Sequence, residues 1–137
     1  MEKKEMKMKK GLTIMASCCL LTACHERLED RAAREATEYT QKNCPSPVRD
    51  NTRTDSLTFD KATKTLGYWY TLCGNADNAE GINQQKEQLI NTLRTGVRQS
   101  TQLKTYKEAG FNIRYVYHSE KNPQEVLLDV TFTEKDY

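Results

Sequence analysis

The sequence lacks the motifs that carry most enzyme chemistry. Its 137 residues contain no glycine-rich phosphate-binding loop, no His-Glu-x-x-His zinc motif and no convincing nucleophile constellation. Histidine is scarce, and His118 beside Ser119 is no catalytic pair, because adjacent residues of a strand point to opposite faces. We therefore predict that the chain is not an enzyme and binds no cofactor.

Long apolar runs and a basic domain are also missing. The apolar segment of residues 11–23 has only 13 residues, whereas a helix needs about 20 to cross a bilayer. Residues 1–10 hold five lysines and two glutamates, so the chain from residue 24 onward carries 16 basic and 17 acidic side chains. A net charge of −1 argues against nucleic acid as a partner, because nucleic-acid binding requires a basic face.

The chain opens with a lysine-rich stretch followed by that short apolar segment. A charged region before about 7–15 apolar residues is typical of a secretory signal peptide. Met6 and Met8 would each give a more usual start for such a signal than Met1. The sequence therefore predicts an exported protein, with the true initiator left open.

The apolar segment ends in Leu21-Thr22-Ala23-Cys24, which resembles the lipobox of bacterial lipoprotein precursors. The resemblance implies cleavage before Cys24, a diacylglyceryl thioether on its sulfur and acylation of the new amino terminus. Residues 1–23 would then form a lipoprotein signal peptide, and residues 24–137 would form a single small α+β domain. The alternative is an ordinary signal peptide that is cut elsewhere.

Lipid on Cys24 would make the membrane the first binding partner of this domain. A single acyl chain binds membranes only marginally, whereas two or three chains anchor a protein stably. The residue after Cys24 is His25 rather than aspartate. Under the enterobacterial sorting pattern this favours the outer membrane over the inner membrane.

Two cysteines, Cys44 and Cys73, remain after Cys24 and the signal peptide are set aside. Exported compartments are oxidising, so this pair predicts one disulfide, with two free thiols as the alternative. The disulfide would close a loop of about 30 residues and contribute about 3–4 kcal/mol to stability. A zinc site needs four ligands, and the scattered cysteines and histidines do not supply them, so we predict no metal.

Apolar periodicity predicts the element order α-β-β-α-β-β. The expected elements are a helix over residues 26–42, strands over 52–60 and 65–73, a helix from Glu80 with a break or bend at Gly96 and the polar run 99–102, a short helical stretch over 103–109 and strands over 111–117 and 126–132. We therefore predict an α+β fold with two layers. A four-stranded, mostly antiparallel sheet carries two main helices on one face.

Strand alternation assigns the remaining sheet residues to the face opposite the helices. This predicted outer face includes a candidate partner-binding surface, because tryptophan and arginine are common interface anchors: Trp69, Arg114, Val116, Leu127 and Asp129. The alternative is cross-strand packing that shields an open sheet. A slip of one residue in register would exchange the two faces.

Asp55-Ser56-Leu57 resembles the Asp-Ser/Thr-apolar acceptor of O-glycosylation in exported bacterial proteins. The resemblance implies a glycan on Ser56 and an exposed side of the first strand. The alternative is an ordinary strand residue that follows an aspartate in a turn.

Together these features predict a membrane-anchored envelope lipoprotein that acts as a non-catalytic binding module for an envelope or secreted protein. One alternative is an inhibitor or immunity protein that blocks an invading or lytic enzyme. A small enzyme is the second alternative, and it would need a pocket with at least two convergent titratable groups.

Overall fold

The computed structural model describes residues 26–137, so the predicted signal peptide and Cys24 lie outside the described residues. The elements in chain order are α1 (Leu28–Asn43), β1 (Thr52–Asp60), β2 (Thr65–Leu72), α2 (Ala79–Gln84), α3 (Lys86–Gln99), α4 (Lys104–Glu108), β3 (Asn112–Ser119) and β4 (Val126–Phe132). A short 3-10 turn, Gly74–Ala76, precedes α2. The predicted α+β class is confirmed.

The four strands form one sheet in the order β1-β2-β3-β4. The two outer pairs are antiparallel hairpins, whereas the central pair β2/β3 is parallel. The sheet is thus mixed, with antiparallel pairing at two of its three junctions. Parallel neighbours require a long crossover connection, and here α2, α3 and α4 supply it.

The second predicted helix is interrupted. Gln85 adopts φ −109° and ψ 11° and separates α2 from α3. Asn78 caps α2 by accepting a 3.1 Å hydrogen bond from the Gly81 amide, as asparagine commonly does at this position. The break expected at Gly96 and the polar residues 99–102 occurs at the polar residues, because α3 ends at Gln99 and α4 begins at Lys104, whereas Gly96 itself lies within α3.

The core lies between the sheet and the helices. α1 contributes Ala32 and Ala36, α3 contributes Val97, and the sheet contributes Ile113 and Phe132, all at most 4% exposed. α1 packs on the edge strand β1, whereas α2 and α3 pack on the opposite edge strand β4. The two main helices therefore cover the two sides of one face of the sheet.

The structure does not support the predicted disulfide. Cys44, at the end of α1, and Cys73, after β2, are both free thiols. The Cys73 side chain is buried, and its Sγ lies 3.8 Å from the carbonyl oxygen of Thr71. Burial raises the pKa of both thiols above the ordinary value, which favours the protonated form.

Two β-bulges decide which side chains share a face. In β1 the register shifts at Asp55, and between β3 and β4 it shifts at Leu127. Each bulge adds a residue on one strand only, so simple alternation fails there. No helix within residues 26–137 is long and apolar enough to cross a membrane.

Candidate functional site

The outer face of the sheet centres on Trp69, as the sequence predicts. The Trp69 indole lies beside Gly67, and its Nε1 donates a 2.8 Å hydrogen bond to Oγ1 of Thr58. A Cβ at Gly67 would come within 2.7 Å of that Thr58 oxygen and 3.0 Å of the indole nitrogen. The absence of a side chain at Gly67 therefore allows the indole to lie across the sheet.

Arg114 connects Trp69 to β4. Its guanidinium lies 5.4 Å from the indole centroid, a cation–π geometry. Arg114 also binds the Asp129 carboxylate through two hydrogen bonds, of 2.9 Å and 2.6 Å. The Arg114 hydrogen bonds hold the pKa of Asp129 below its usual value, despite partial desolvation. Structure thus brings three of the five predicted surface residues together.

Val116 and Leu127 do not contribute to an exposed surface, which corrects their predicted role. Val116 is 1% exposed, and its register neighbours are Trp69 and Asp129. Leu127 is 8% exposed because the bulge at this residue breaks the alternation of β4. The outer face is therefore a polar surface with an apolar floor.

Ser56 lies on the same face. It is half-buried and pairs directly with Trp69 across the β1/β2 ladder. Directly paired residues of neighbouring strands point to the same side of the sheet, so a glycan on Ser56 would stand beside the indole. Glycosylation of Ser56 stays a prediction.

We predict that Gly67→Ala destabilises the protein by about 1–3 kcal/mol, the usual cost of overpacking. The new methyl group must displace the indole or the Thr58 hydroxyl. Urea unfolding followed by Trp69 fluorescence measures the effect. Gly96→Ala is the matched control, because apart from the adjacent residues and the backbone of its own helix no atom lies within 4 Å of its added Cβ, so it should be neutral or stabilising. Equal effects of the two substitutions would contradict the packing at Gly67.

We predict that acid changes the fluorescence of Trp69, the only tryptophan. Because the folded-state pKa of Asp129 is depressed, its ion pair stabilises the fold above the ordinary carboxyl pKa of 3.8 and is lost as pH falls through the folded value. The fluorescence transition should therefore have its midpoint below pH 3.8. Asp129→Asn should remove this transition, and its persistence in that variant would assign it to another group.

The helix-covered face contains a second surface, formed by five tyrosines. This tyrosine cleft comprises Tyr39 of α1 and four half-buried residues of the two central strands: Tyr68, Tyr70, Tyr115 and Tyr117. Tyr39 is 43% exposed and lines the same depression as Tyr68. Because α1 packs on β1 and α3 packs on β4, the tyrosines of the central strands are only partly covered.

Stacking orders the rings within the tyrosine cleft. The Tyr68 and Tyr115 centroids are 5.1 Å apart with ring planes 14° from parallel, and the Tyr70 and Tyr117 centroids are 4.9 Å apart at 19°. In each of these two pairs, the ring face of one tyrosine that is stacked is covered by the other tyrosine. The edges and hydroxyl groups of the rings are left to meet a ligand.

The hydroxyl groups of the four strand tyrosines have no hydrogen-bond partner among residues 26–137. The side-chain hydrogen bonds that involve a tyrosine hydroxyl there come from Tyr106 and Tyr137. No fully buried side-chain oxygen or nitrogen in this part of the chain lacks a partner, so the four hydroxyls reach solvent. Burial of the rings nevertheless raises their pKa, to about 12 for Tyr117.

One end of the cleft is closed. The Tyr106 hydroxyl of α4 donates a 2.5 Å hydrogen bond to Glu35 of α1, and Arg31 binds the same carboxylate at 2.7 Å. These two hydrogen bonds lower the pKa of Glu35, with that from Arg31 the larger cause. An adjoining depression of about 200 Å³ extends beneath α1, where Ala36, Leu66 and Leu103 form much of its lining and Glu35 and Gln102 add polar groups. The larger, apolar part of the lining suits an apolar side chain.

Sequence reasoning missed the cleft because alternation assigns these tyrosines to the helix-covered face. Alternation reports the face of a residue but not how completely the helices cover it. Four tyrosines within two strands, rather than leucine or valine, were the available signal, since a buried tyrosine hydroxyl needs a partner. Within residues 26–137, no three His, Cys, Asp or Glu side chains converge in a way that could hold a metal ion.

The fold is similar to that of three solved structures. A candidate secreted protein from Pseudomonas aeruginosa has 13% identity and a TM-score of 0.63, covering 81% of this chain and 97% of its own. The type 2 secretion system pilotin EpsS from Vibrio vulnificus has 11% identity and a TM-score of 0.58, covering 79% and 89%. The type II secretion system pilotin AspS from Vibrio cholerae has 12% identity and a TM-score of 0.56, covering 80% and 91%.

These likenesses are likenesses of fold alone, because the identities are low. No curated protein matches the chain by sequence. A family model, in contrast, matches residues 27–128, which is most of the chain and includes α1 to β3 and the start of β4. The chain therefore belongs to the family described as "Domain of unknown function (DUF8479)".

Proposed function

We propose that this chain is a lipid-anchored, non-catalytic accessory protein of a bacterial envelope, and that its tyrosine cleft binds a segment of an envelope protein. The observation that carries the proposal is the cleft itself, with half-buried rings whose hydroxyls lack partners in residues 26–137. The similarity of fold to two secretion-system pilotins supports a role in an envelope assembly.

The chemistry of the cleft favours a protein segment over a sugar. Sugars stack on exposed aromatic faces, but here the tyrosine faces stack on one another at 4.9–5.1 Å. Ring edges and the apolar depression beneath α1 can accept aliphatic side chains, while the hydroxyls can bind backbone or polar groups. An amphipathic segment meets both requirements, because its apolar side chains can contact the ring edges and the depression while its backbone or polar groups bind the hydroxyls.

The proposed anchor determines how the domain, and with it the cleft, is positioned relative to the membrane. Cys24 precedes the first residue of α1 by only four positions, so lipid there would hold the domain close to the membrane. The Lys61 ammonium, in the β1/β2 turn, binds Asp30 near the start of α1 at 2.6 Å and so lies at the same end. This arrangement supports an orientation with the β1/β2 turn toward the bilayer.

Capture of the full lipoprotein from native membranes, followed by mass spectrometry of co-purifying proteins, tests the proposal. We expect one envelope protein to be recovered in proportion to the bait. Recovery of an invading or lytic enzyme instead would favour the inhibitor or immunity alternative. If no envelope protein is recovered whose binding depends on the cleft, the proposal is wrong.

A further inference from the structure

The outer face of the sheet contains a polar depression of about 570 Å³ beside Trp69. Apart from the Trp69 indole and Gly67, every residue that lines it is polar or charged, and four of them are threonines. The core and the helices lie on the other face of the sheet, so the depression opens to solvent. Its volume is within the range of about 300–1,000 Å³ that ligand sites have.

Four positions of this depression form a straight row across all four strands. Thr58 pairs with Gly67, and Gly67 pairs with Arg114. Arg114 in turn pairs with Thr131 on β4. Neighbouring strands are about 4.8 Å apart, so the row is about 14 Å long. Because Gly67 has no side chain, the Trp69 indole lies in the middle of the row, with polar side chains on both sides of it.

Several groups in this row retain hydrogen-bonding capacity. The Thr58 hydroxyl accepts from the indole Nε1, which leaves its own hydrogen free to donate. Arg114 uses Nε and Nη2 to bind Asp129, so Nη1 is left to donate elsewhere. The Thr131 side chain is exposed, and its hydroxyl has no partner within residues 26–137. The depression thus offers both donors and acceptors next to an aromatic ring.

The charges of the outer face cancel one another. Asp129 neutralises Arg114, and Asp55 neutralises Arg53 at 2.8 Å. The remaining carboxylate of the depression, Asp60, accepts hydrogen bonds from two amides of its own turn. The two lysines of that turn bind carboxylates of α1 instead. A phosphate or another anion would therefore meet no unpaired cation in this depression, and an uncharged ligand suits it better.

The depression has little apolar surface for the side chains of a protein. Its floor is covered, because Gly67 is buried and Val116 is 1% exposed. The half-buried Trp69 indole supplies the apolar surface, whereas protein interfaces centre on clusters of apolar anchors. A sugar fits this combination, because the C–H face of a pyranose ring packs on an aromatic ring while its hydroxyls both donate and accept hydrogen bonds.

We propose that the depression beside Trp69 binds an uncharged glycan chain. The indole packs on the C–H face of one sugar unit, and the hydroxyls of Thr58 and Thr131 bind sugar hydroxyls together with Nη1 of Arg114. Threonines on a sheet have few rotamers to lose, which reduces the entropic cost of binding.

The source of the glycan rests on the proposed location in a bacterial envelope. The N-acetylated glycan backbone of the cell wall has the required chemistry, whereas the phosphorylated saccharide of lipopolysaccharide would need free cations. The site itself lies on the face opposite the tyrosine cleft and does not depend on that cleft.

NMR titration with a defined oligosaccharide tests the proposal. The full mature lipoprotein, with Ser56 shown to be unmodified by intact mass, would be titrated with tetra-N-acetylchitotetraose in a detergent that has no sugar headgroup. We expect saturable shifts of the Trp69 indole N–H and of outer-face amides, with a Kd of about 1 mM or below. A phosphorylated core oligosaccharide of lipopolysaccharide distinguishes the two sources and should bind at least about tenfold more weakly.

Thr131→Val removes one hydroxyl at nearly constant size and should weaken binding about three- to tenfold, the effect of one hydrogen bond. Thr101→Val makes the same change at an exposed position between α3 and α4, so it is the matched control and should have no effect. Trp69→Ala should abolish binding. Alanine at both Tyr70 and Tyr117 should leave it unchanged, which separates this site from the proposed function of the cleft. No saturable shifts, shifts confined to the tyrosine cleft, tighter binding of the phosphorylated core, or full affinity in Thr131→Val would each overturn the proposal.

Discussion

Serine in place of Cys24 should move the protein from the membrane fraction to the soluble fraction. Serine has no thiol to accept a diacylglyceryl group, so the amino terminus would carry no lipid. Each buried methylene contributes about 0.8 kcal/mol to membrane binding, and two or more acyl chains make anchoring effectively permanent. Fractionation of cells with detection of the intact protein measures the change, which should be close to complete.

The matched control is Cys44→Ser, which makes the same atomic change at a half-buried position within the domain. It should leave the protein at the membrane. Intact mass of the native protein provides a second readout, since cleavage before Cys24 and acylation each change the mass of the protein by a defined amount. A membrane-bound Cys24→Ser variant, or a native mass without lipid, would contradict the lipobox assignment.

Replacing both Tyr70 and Tyr117 by alanine should weaken binding of the envelope partner more than about 30-fold. The pair stacks at 4.9 Å in the centre of the tyrosine cleft, and loss of two central aromatic anchors commonly costs at least 2 kcal/mol of binding energy. Both rings are only half-buried, so the fold should survive. Circular dichroism and urea unfolding establish the fold, and titration of the captured partner gives the affinity.

Two variants separate the possible explanations of that result. Changing both residues to phenylalanine keeps the stacking and removes the hydroxyls, so it should weaken binding less than alanine does. Trp69→Ala alters the opposite face, which the sequence indicates as the partner-binding surface. If Trp69→Ala abolishes partner recovery while the alanine pair has no effect, the partner binds the outer face instead.

Several elements of the fold could be predicted because local signals agree there. α1 combines alanines at helical spacing with a stop before Pro45, and the final strand runs over Val126–Phe132 as its alternation predicts. The parallel pairing of β2 with β3 could not be predicted, because it depends on where the crossover helices return the chain. Alternation within a strand carries no information about its neighbours.

The surfaces were harder to predict than the elements. Trp69, Arg114 and Asp129 converge because alternation holds through the centre of their strands. Leu127 becomes buried because a bulge adds one residue to β4, and no signal in the sequence marks that bulge. The tyrosine cleft depends on the placement of α1 over β1 and of α3 over β4, which is a property of tertiary packing.

The most direct test of a partner-binding cleft is site-specific photo-crosslinking in living cells. A photoreactive residue would replace Tyr117 in the full lipoprotein, and a second variant would carry it at Trp69; mass spectrometry would then map the crosslinked peptide. We predict a crosslink from position 117 to one defined segment of an envelope protein, and none to that segment from position 69. Crosslinks from position 69 with none from position 117 would contradict it.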